Sequence, residues 1–288
     1  MKAIETKSLT KYYGKRRGII DVSLSVENGD FFGFIGPNGA GKSTFIRVLL
    51  GLISATSGSF EIFGKSPDDK ISILSNVGYL PSETNFYNMT AAELISLSAK
   101  LRGTDCSTEA KLLCERLDLD TSKKIDTLSL GNKKKVGIVC ALQHKPSLYV
   151  LDEPTSGLDP LIQKEFYTIL KERNEEGATV FLSSHALWEI EKYCKTAAVI
   201  KEGKIVVCDS VEKLSCTGIK KVSLKGVAED FSFDGAFNIK LEKGNADFLF
   251  GGSSKELIKN LSTVEFSDFT VSDPELDEIF MHYYKEEN

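Results

Sequence analysis

Nine consecutive residues, Gly36, Pro37, Asn38, Gly39, Ala40, Gly41, Lys42, Ser43 and Thr44, have the types and spacing of a loop that cradles phosphate. Its glycines let backbone N–H groups turn inward around an anion without Cβ clashes. The helix opening near Lys42 adds the positive end of its dipole. Lys42 is then expected to reach the β- and γ-phosphates of a nucleoside triphosphate, and the Ser43 hydroxyl to meet Mg²⁺. A second group fits the same chemistry. Asp152 and Glu153 follow the apolar run Leu148-Tyr149-Val150-Leu151, so Asp152 can hold Mg²⁺ opposite Ser43. Glu153 can accept a proton from a water attacking the γ-phosphate. His185 follows another apolar run and can either bond that phosphate or orient Glu153.

These residues require strands that end together. Phe31–Ile35 is an apolar run before the loop, and residues 45–50 after it are apolar at helical spacing. Residues 76–80, 148–151 and 178–183 read as further buried strands, alternating with helices over 90–101, 108–117, 133–143 and 160–174. Thr90 with Glu93 three residues on is a capping-box signal. That alternation implies an α/β fold with a mainly parallel sheet, whose ligands sit at the carboxyl ends of the strands. Residues 3–8 and 19–26 alternate like strands, with a linker at 11–18 between them carrying Tyr12, Tyr13 and basic residues. A tyrosine there could stack on a base or pack on a sheet edge.

Composition narrows the class. The 288 residues are 41% hydrophobic and 27% charged, with a formal net charge of -5, an ordinary globular balance that disfavours a nucleic-acid partner. No apolar run reaches the roughly 18–20 residues of a membrane span. A cytoplasmic protein is expected, with any membrane role exercised through a partner. The six cysteines lack metal-site spacing and read as reduced, mostly buried thiols. The run Lys133-Lys134-Lys135 reads as a solvated helix face.

In order and spacing, the phosphate loop, Leu128-Ser129-Leu130-Gly131-Asn132, the Leu148–Glu153 strand, Ser156-Gly157-Leu158-Asp159 and His185 resemble the ATP-binding subunit of an ABC transporter over residues 1–215. The resemblance implies the P-loop NTPase fold of that family, with an antiparallel β subdomain and a helical subdomain beside the parallel core. It implies ATP and Mg²⁺ as ligands and ATP hydrolysis coupled to transport. Two such subunits, in a homodimer or heterodimer, would pair head to tail against a separate membrane permease at the inner face of the membrane. Ser129 and Gly131 would cap the γ-phosphate held by the partner, Asp159 would belong to the loop coupling the two sites, and Tyr13, with Tyr12 as rival, would be the base-stacking aromatic.

Two departures from the family pattern stand out. Leu130 and Asn132 replace a glycine and a glutamine of the signature. Ser82 and Glu83 occupy the loop where the family usually has a glutamine near Mg²⁺, so either Ser82 or Glu83 is a candidate metal ligand. The signature segment resembles that of bacterial antibiotic-resistance exporters. A cytosolic ABC ATPase acting on ribosomes or DNA is the alternative, disfavoured by the single phosphate loop and the absence of long heptads.

Beyond residue 215 the texture changes to short strands at 219–224, 236–241, 246–250 and 264–271. A helix around Leu257, Ile258 and Leu261 and a last one opening at Ser272-Asp273-Pro274 complete it. Residues 216–288 are expected to be a small α+β accessory domain, with no cluster of catalytic residue types.

Overall fold

The computed structural model describes residues 1–83, 88–215, 219–228 and 231–272. The final helix expected from Ser272-Asp273-Pro274 onward and most of the loop after Glu83 lie outside them. The chain divides into two compact units, Met1–Asp209 and Ser210–Asn288.

In the first unit, β1 (Lys2–Tyr13) and β2 (Arg16–Glu27) form a long antiparallel hairpin, followed by β3 (Phe31–Ile35), α1 (Lys42–Leu49), β4 (Ser57–Ile62) and α2 (Lys70–Ser75). Then come β5 (Val77–Leu80), α3 (Ala91–Arg102), α4 (Ser107–Arg116), α5 (Leu130–Leu142), β6 (Leu148–Asp152), α6 (Pro160–Glu175) and β7 (Thr179–Ser184). The unit closes with α7 (Leu187–Tyr193), β8 (Thr196–Lys201) and β9 (Lys204–Ser210). The linker expected at 11–18 is mostly strand: Lys11, Tyr12 and Tyr13 pair with Ile19, Arg17 and Arg16, leaving only Gly14 and Lys15 to turn. Exposed polar side chains at the end of a hairpin face water and do not interrupt its ladder.

β2, β1 and β4 make one sheet, while β5, β6, β7, β3, β8 and β9 lie side by side in that order in another. β3 is parallel to both β7 and β8, and β6 is parallel to β5 and β7. Ile35 sits opposite Ser184, and Asp152 opposite Ser183, so the strands deliver their C-terminal residues to one edge. β3, β6 and β7 are buried at every position. Under them Phe32, Phe34, Phe45 and Phe181 pack ring against ring, with centroids 4.9–5.8 Å apart. Each such side chain stabilises the layer beneath the loop by about 1.5–3 kcal/mol.

The Thr90 capping box is present at the start of α3. α5 departs from a one-faced amphipathic helix: Lys134 through Val139, Ala141 and Leu142 are all buried. It lies directly on the backbone of β5, where a Cβ on Gly78 would come within 2.2 Å of the Ala141 carbonyl oxygen. The cysteines in the described residues form no disulfide; Cys106 and Cys194 are buried, Cys114 and Cys140 only partly, and Cys208 is exposed. Burial pushes the Cys140 thiol up to about 12.

The second unit contains α8 (Val211–Ser215), β10 (Lys220–Lys225), β11 (Ala236–Glu242), β12 (Asn245–Phe250), α9 (Ser254–Leu261) and β13 (Asp268–Ser272). Its sheet has the order β11-β12-β10-β13, all antiparallel. Val222, Leu224, Phe233, Phe248, Leu257 and Leu261 form its own core. β13 begins later than the sequence suggests because Val264 is bonded back to the Leu261 carbonyl at the end of α9.

Candidate functional site

The loop between β3 and α1 turns sharply at Gly41, which caps the helix at φ 111° with no side-chain help. A Cβ there would also press within 2.7 Å of the Gly18 carbonyl oxygen, so only glycine fits. Beside the loop is a cavity of about 250 Å³, lined by residues 37–39 and 41–44 together with Arg17, Gly18, Ser82 and Glu153. Gly36 and Ala40 frame the turn without lining it: Ala40 bonds its amide to the Pro37 carbonyl, and its own carbonyl accepts from Gly203.

Lys42 is 6% exposed. Its Nζ donates to the carbonyls of Gly36, at 2.5 Å, and Pro37, at 3.3 Å, and lies 3.1 Å from Glu153 Oε1. Glu153 follows β6 with its backbone at φ 48°, and its amide donates to the Ser183 carbonyl at 2.9 Å. A non-glycine residue there is uncommon and is held by its surroundings. Its other oxygen, Oε2, accepts from His185 Nδ1 at 2.6 Å, which places that ring proton on Nδ1. Asp152 is 1% exposed and accepts from the Ser183 hydroxyl at 3.0 Å, one step behind the cavity wall.

Ser82 lines the cavity and Glu83 does not. The backbone around Ser82 is anchored by Lys134, whose Nζ donates to the Pro81 and Ser82 carbonyls at 3.1 and 2.9 Å. Lys134 is 2% exposed and Lys135 7%, so the solvated face expected for this run is corrected: backbone carbonyls, Asp118 for Lys135, take the place of water. Burial draws the Lys134 ammonium down to about 8 against the opposing pull of Asp152 and Glu153.

Tyr12 and Tyr13 are both partly exposed. The Tyr13 ring approaches Gly18 at the cavity wall, with the Lys11 ammonium 5.5 Å from its centroid. The remaining candidates lie apart from the cavity. Ser129 caps α5, its hydroxyl accepting from the Asn132 amide at 3.3 Å. Asp159 caps α6, accepting from the amides of Leu161 and Ile162 at 3.1 and 3.0 Å. Gly131 backs onto the Gly157 carbonyl, and Leu130, 68% exposed, lies across Gly157. Two residues at or behind the cavity were not singled out in the sequence: Arg17, which lines it and pairs with Glu202, and the buried Glu189, which accepts from Thr155 and Ser184. The basic cluster beside Tyr13 was the only signal for Arg17. A larger groove of about 830 Å³ lies between α3 and α4, lined in part by Ile95, Ala99 and Ala110, and contains none of the phosphate-loop residues.

The arrangement can hold a polyphosphate against Lys42 and backbone amides, with a carboxylate and an imidazole at its end. Residues 19–156 match the model of the ABC transporter family. The chain is 42% identical over 211 residues to the bacitracin transport ATP-binding protein BcrA of Bacillus licheniformis, covering 70% of this chain and 68% of that protein. It is 31% identical to an uncharacterized ABC transporter ATP-binding protein, YhaQ, of Bacillus subtilis, over 95% of each. A solved ATP-binding subunit of an ABC transporter superposes with a TM-score of 0.69 at 30% identity, covering 74% of this chain and 91% of that one.

Proposed function

Since the chain belongs to the ABC transporter family, as an ATP-binding and ATP-hydrolysing subunit serving a separate membrane subunit, we propose that Glu153 is its general base and His185 the partner that aims it. The observation that carries this is the Glu153 carboxylate held between Lys42 and His185 at the wall of the phosphate cavity. Residues 37–39 and 41–44 would surround the triphosphate, framed by Gly36 and Ala40, with Lys42 on the β- and γ-phosphates. Tyr13 stacks on the base, supported by its place beside Gly18.

Mg²⁺ fits the oxygen donors at the cavity wall and just behind it. The Ser43 and Ser82 hydroxyls and the Asp152 carboxylate are hard oxygens, the set this cation takes alongside phosphate oxygens and water. When bound it supplies charge neutralisation on the phosphates. Glu153 receives the proton of the attacking water, and His185 keeps its carboxylate turned to that water.

Ser129 and Gly131 sit away from their own cavity at the exposed start of α5, which supports their use on the nucleotide of a second ATP-binding subunit, the same or a different chain. Asp159, beside them through the Gly157 loop, joins the two sites. Closure of that pair is transmitted to a permease through the segment after Ser82, at the inner face of the membrane. We read the direction as export, from the likeness of the signature segment to that of antibiotic-resistance exporters.

Sedimentation of the Glu153→Gln chain, with and without Mg²⁺ and ATP, tests the pairing. A dimer that forms only with nucleotide is expected; a monomer under both conditions argues against it.

A further inference from the structure

Behind the Glu153–His185 pair stands another carboxylate. Glu189, on α7, is 1% exposed. It accepts from Thr155 Oγ1 at 2.5 Å through one oxygen and from Ser184 Oγ at 2.5 Å through the other. Thr155 comes two residues after Glu153, and Ser184 immediately precedes His185. The Ser184 hydroxyl in turn accepts from the Ala186 amide at 2.9 Å, bracketing His185 on both sides. Tyr167 packs close by; burial first, then the Glu189 charge, hold its hydroxyl protonated well above the usual range.

Burying a carboxylate is costly unless hydrogen bonds satisfy it, and here both oxygens are satisfied by loops that carry the reacting pair. Glu153 needs such support. Its backbone lies in the left-handed region, a conformation that persists only where the surroundings over-determine it. Hydroxyl bonds from two loops to one rigid acceptor fix the loops relative to each other, and thereby the 2.6 Å contact between Glu153 and His185.

We propose that Glu189 is a positioning residue for ATP hydrolysis, its carboxylate tying the turn after Glu153 to the strand end before His185. This rests on the reading of Glu153 as base and His185 as its partner. Glu189 does not line the phosphate cavity, so its loss should misplace the base without weakening nucleotide binding. Small misplacements of a reacting group can cost about a hundredfold in rate.

The test compares Glu189→Leu, Glu189→Gln and Glu153→Gln in the full chain, by steady-state hydrolysis and by equilibrium binding of a fluorescent ATP analogue. Glu189→Leu, apolar and of similar size, should lower kcat by about ten- to a hundredfold, leaving KM and analogue affinity within about twofold. Glu189→Gln should recover most of that loss, because an amide can accept from one hydroxyl and donate to the other. A folded Glu189→Leu protein with wild-type kcat, beside an inactive Glu153→Gln, overturns the role of Glu189 alone. Analogue affinity falling in step with kcat also overturns it, because a general structural defect would do that. Normal turnover by Glu153→Gln overturns the reading beneath it. Should Glu189→Leu fail to fold, Ser184→Ala, which cuts one tie, decides: reduced kcat at unchanged affinity supports the role, and wild-type kcat overturns it.

Discussion

The Lys42 ammonium lies 3.1 Å from the Glu153 carboxylate, joining the helix that follows one strand to the residue that follows another. Because β7 lies between β3 and β6, the contact spans two strand spacings, and both side chains must reach across it. Glu153 is therefore in reach of whatever Lys42 binds.

Replacing Glu153 by Gln keeps the shape and removes the basicity. Phosphate release should fall by about 10²–10⁴-fold, the usual contribution of a general base, while ATP binding persists. Turnover at the normal rate would show that another group takes the proton.

Lys42→Ala should act on binding. Charge-assisted hydrogen bonds contribute about 1.5–3 kcal/mol, so ATP affinity is expected to drop by about ten- to a hundredfold. Titration calorimetry would measure this, and unchanged affinity would contradict the placement of the phosphates on Lys42.

The strands that end at the phosphate loop, at Asp152 and just before His185 were readable in the sequence, because each is a short apolar run bounded by turn residues. Lys134 and Lys135 were not. Hydropathy assigns a lysine to solvent, yet an ammonium can be buried wherever backbone carbonyls point at it, and those of Pro81, Ser82 and Asp118 come from distant segments. Glu189 is hidden for the same reason, since only the packing of α7 brings Thr155 and Ser184 to it. Lys11–Gly18 misled in the opposite sense. Its charges suggest a linker, but cross-strand pairing continues through it.

His144 makes stability depend on acidity. Burial, reinforced by Arg102, lowers its pKa from 6.5 to about 4, and its Nε2 lies 3.3 Å from the Val77 carbonyl. Between those values the unfolded chain binds the proton more readily, so stability rises with pH there. It is complete above 6.5 and is lost as pH falls toward 4, by about 3 kcal/mol at most for this group. Urea midpoints measured from pH 7 to 4 should decline more steeply for the wild type than for His144→Gln. Parallel declines would remove His144 from the account.

Gly78→Ala should be poorly tolerated. Its Cβ would meet the Ala141 carbonyl oxygen at 2.2 Å, backbone against backbone. Overpacking of this kind costs about 1–3 kcal/mol, a fall in melting temperature of about 2–12 °C for a unit this size. A thermal scan showing no change would mean that α5 can lift from β5 freely.

That close seat of α5 on β5 has a mechanical consequence. Where a helix rests on side chains, soft layers can absorb a small tilt; at Gly78 there is no such layer. Lys134 adds a second fastening between the same helix and the carbonyls of Pro81 and Ser82. A displacement arriving at the exposed end of α5, where Ser129 and Leu130 sit, therefore reaches Ser82 with almost no slack, as in a lever whose pivot has no play.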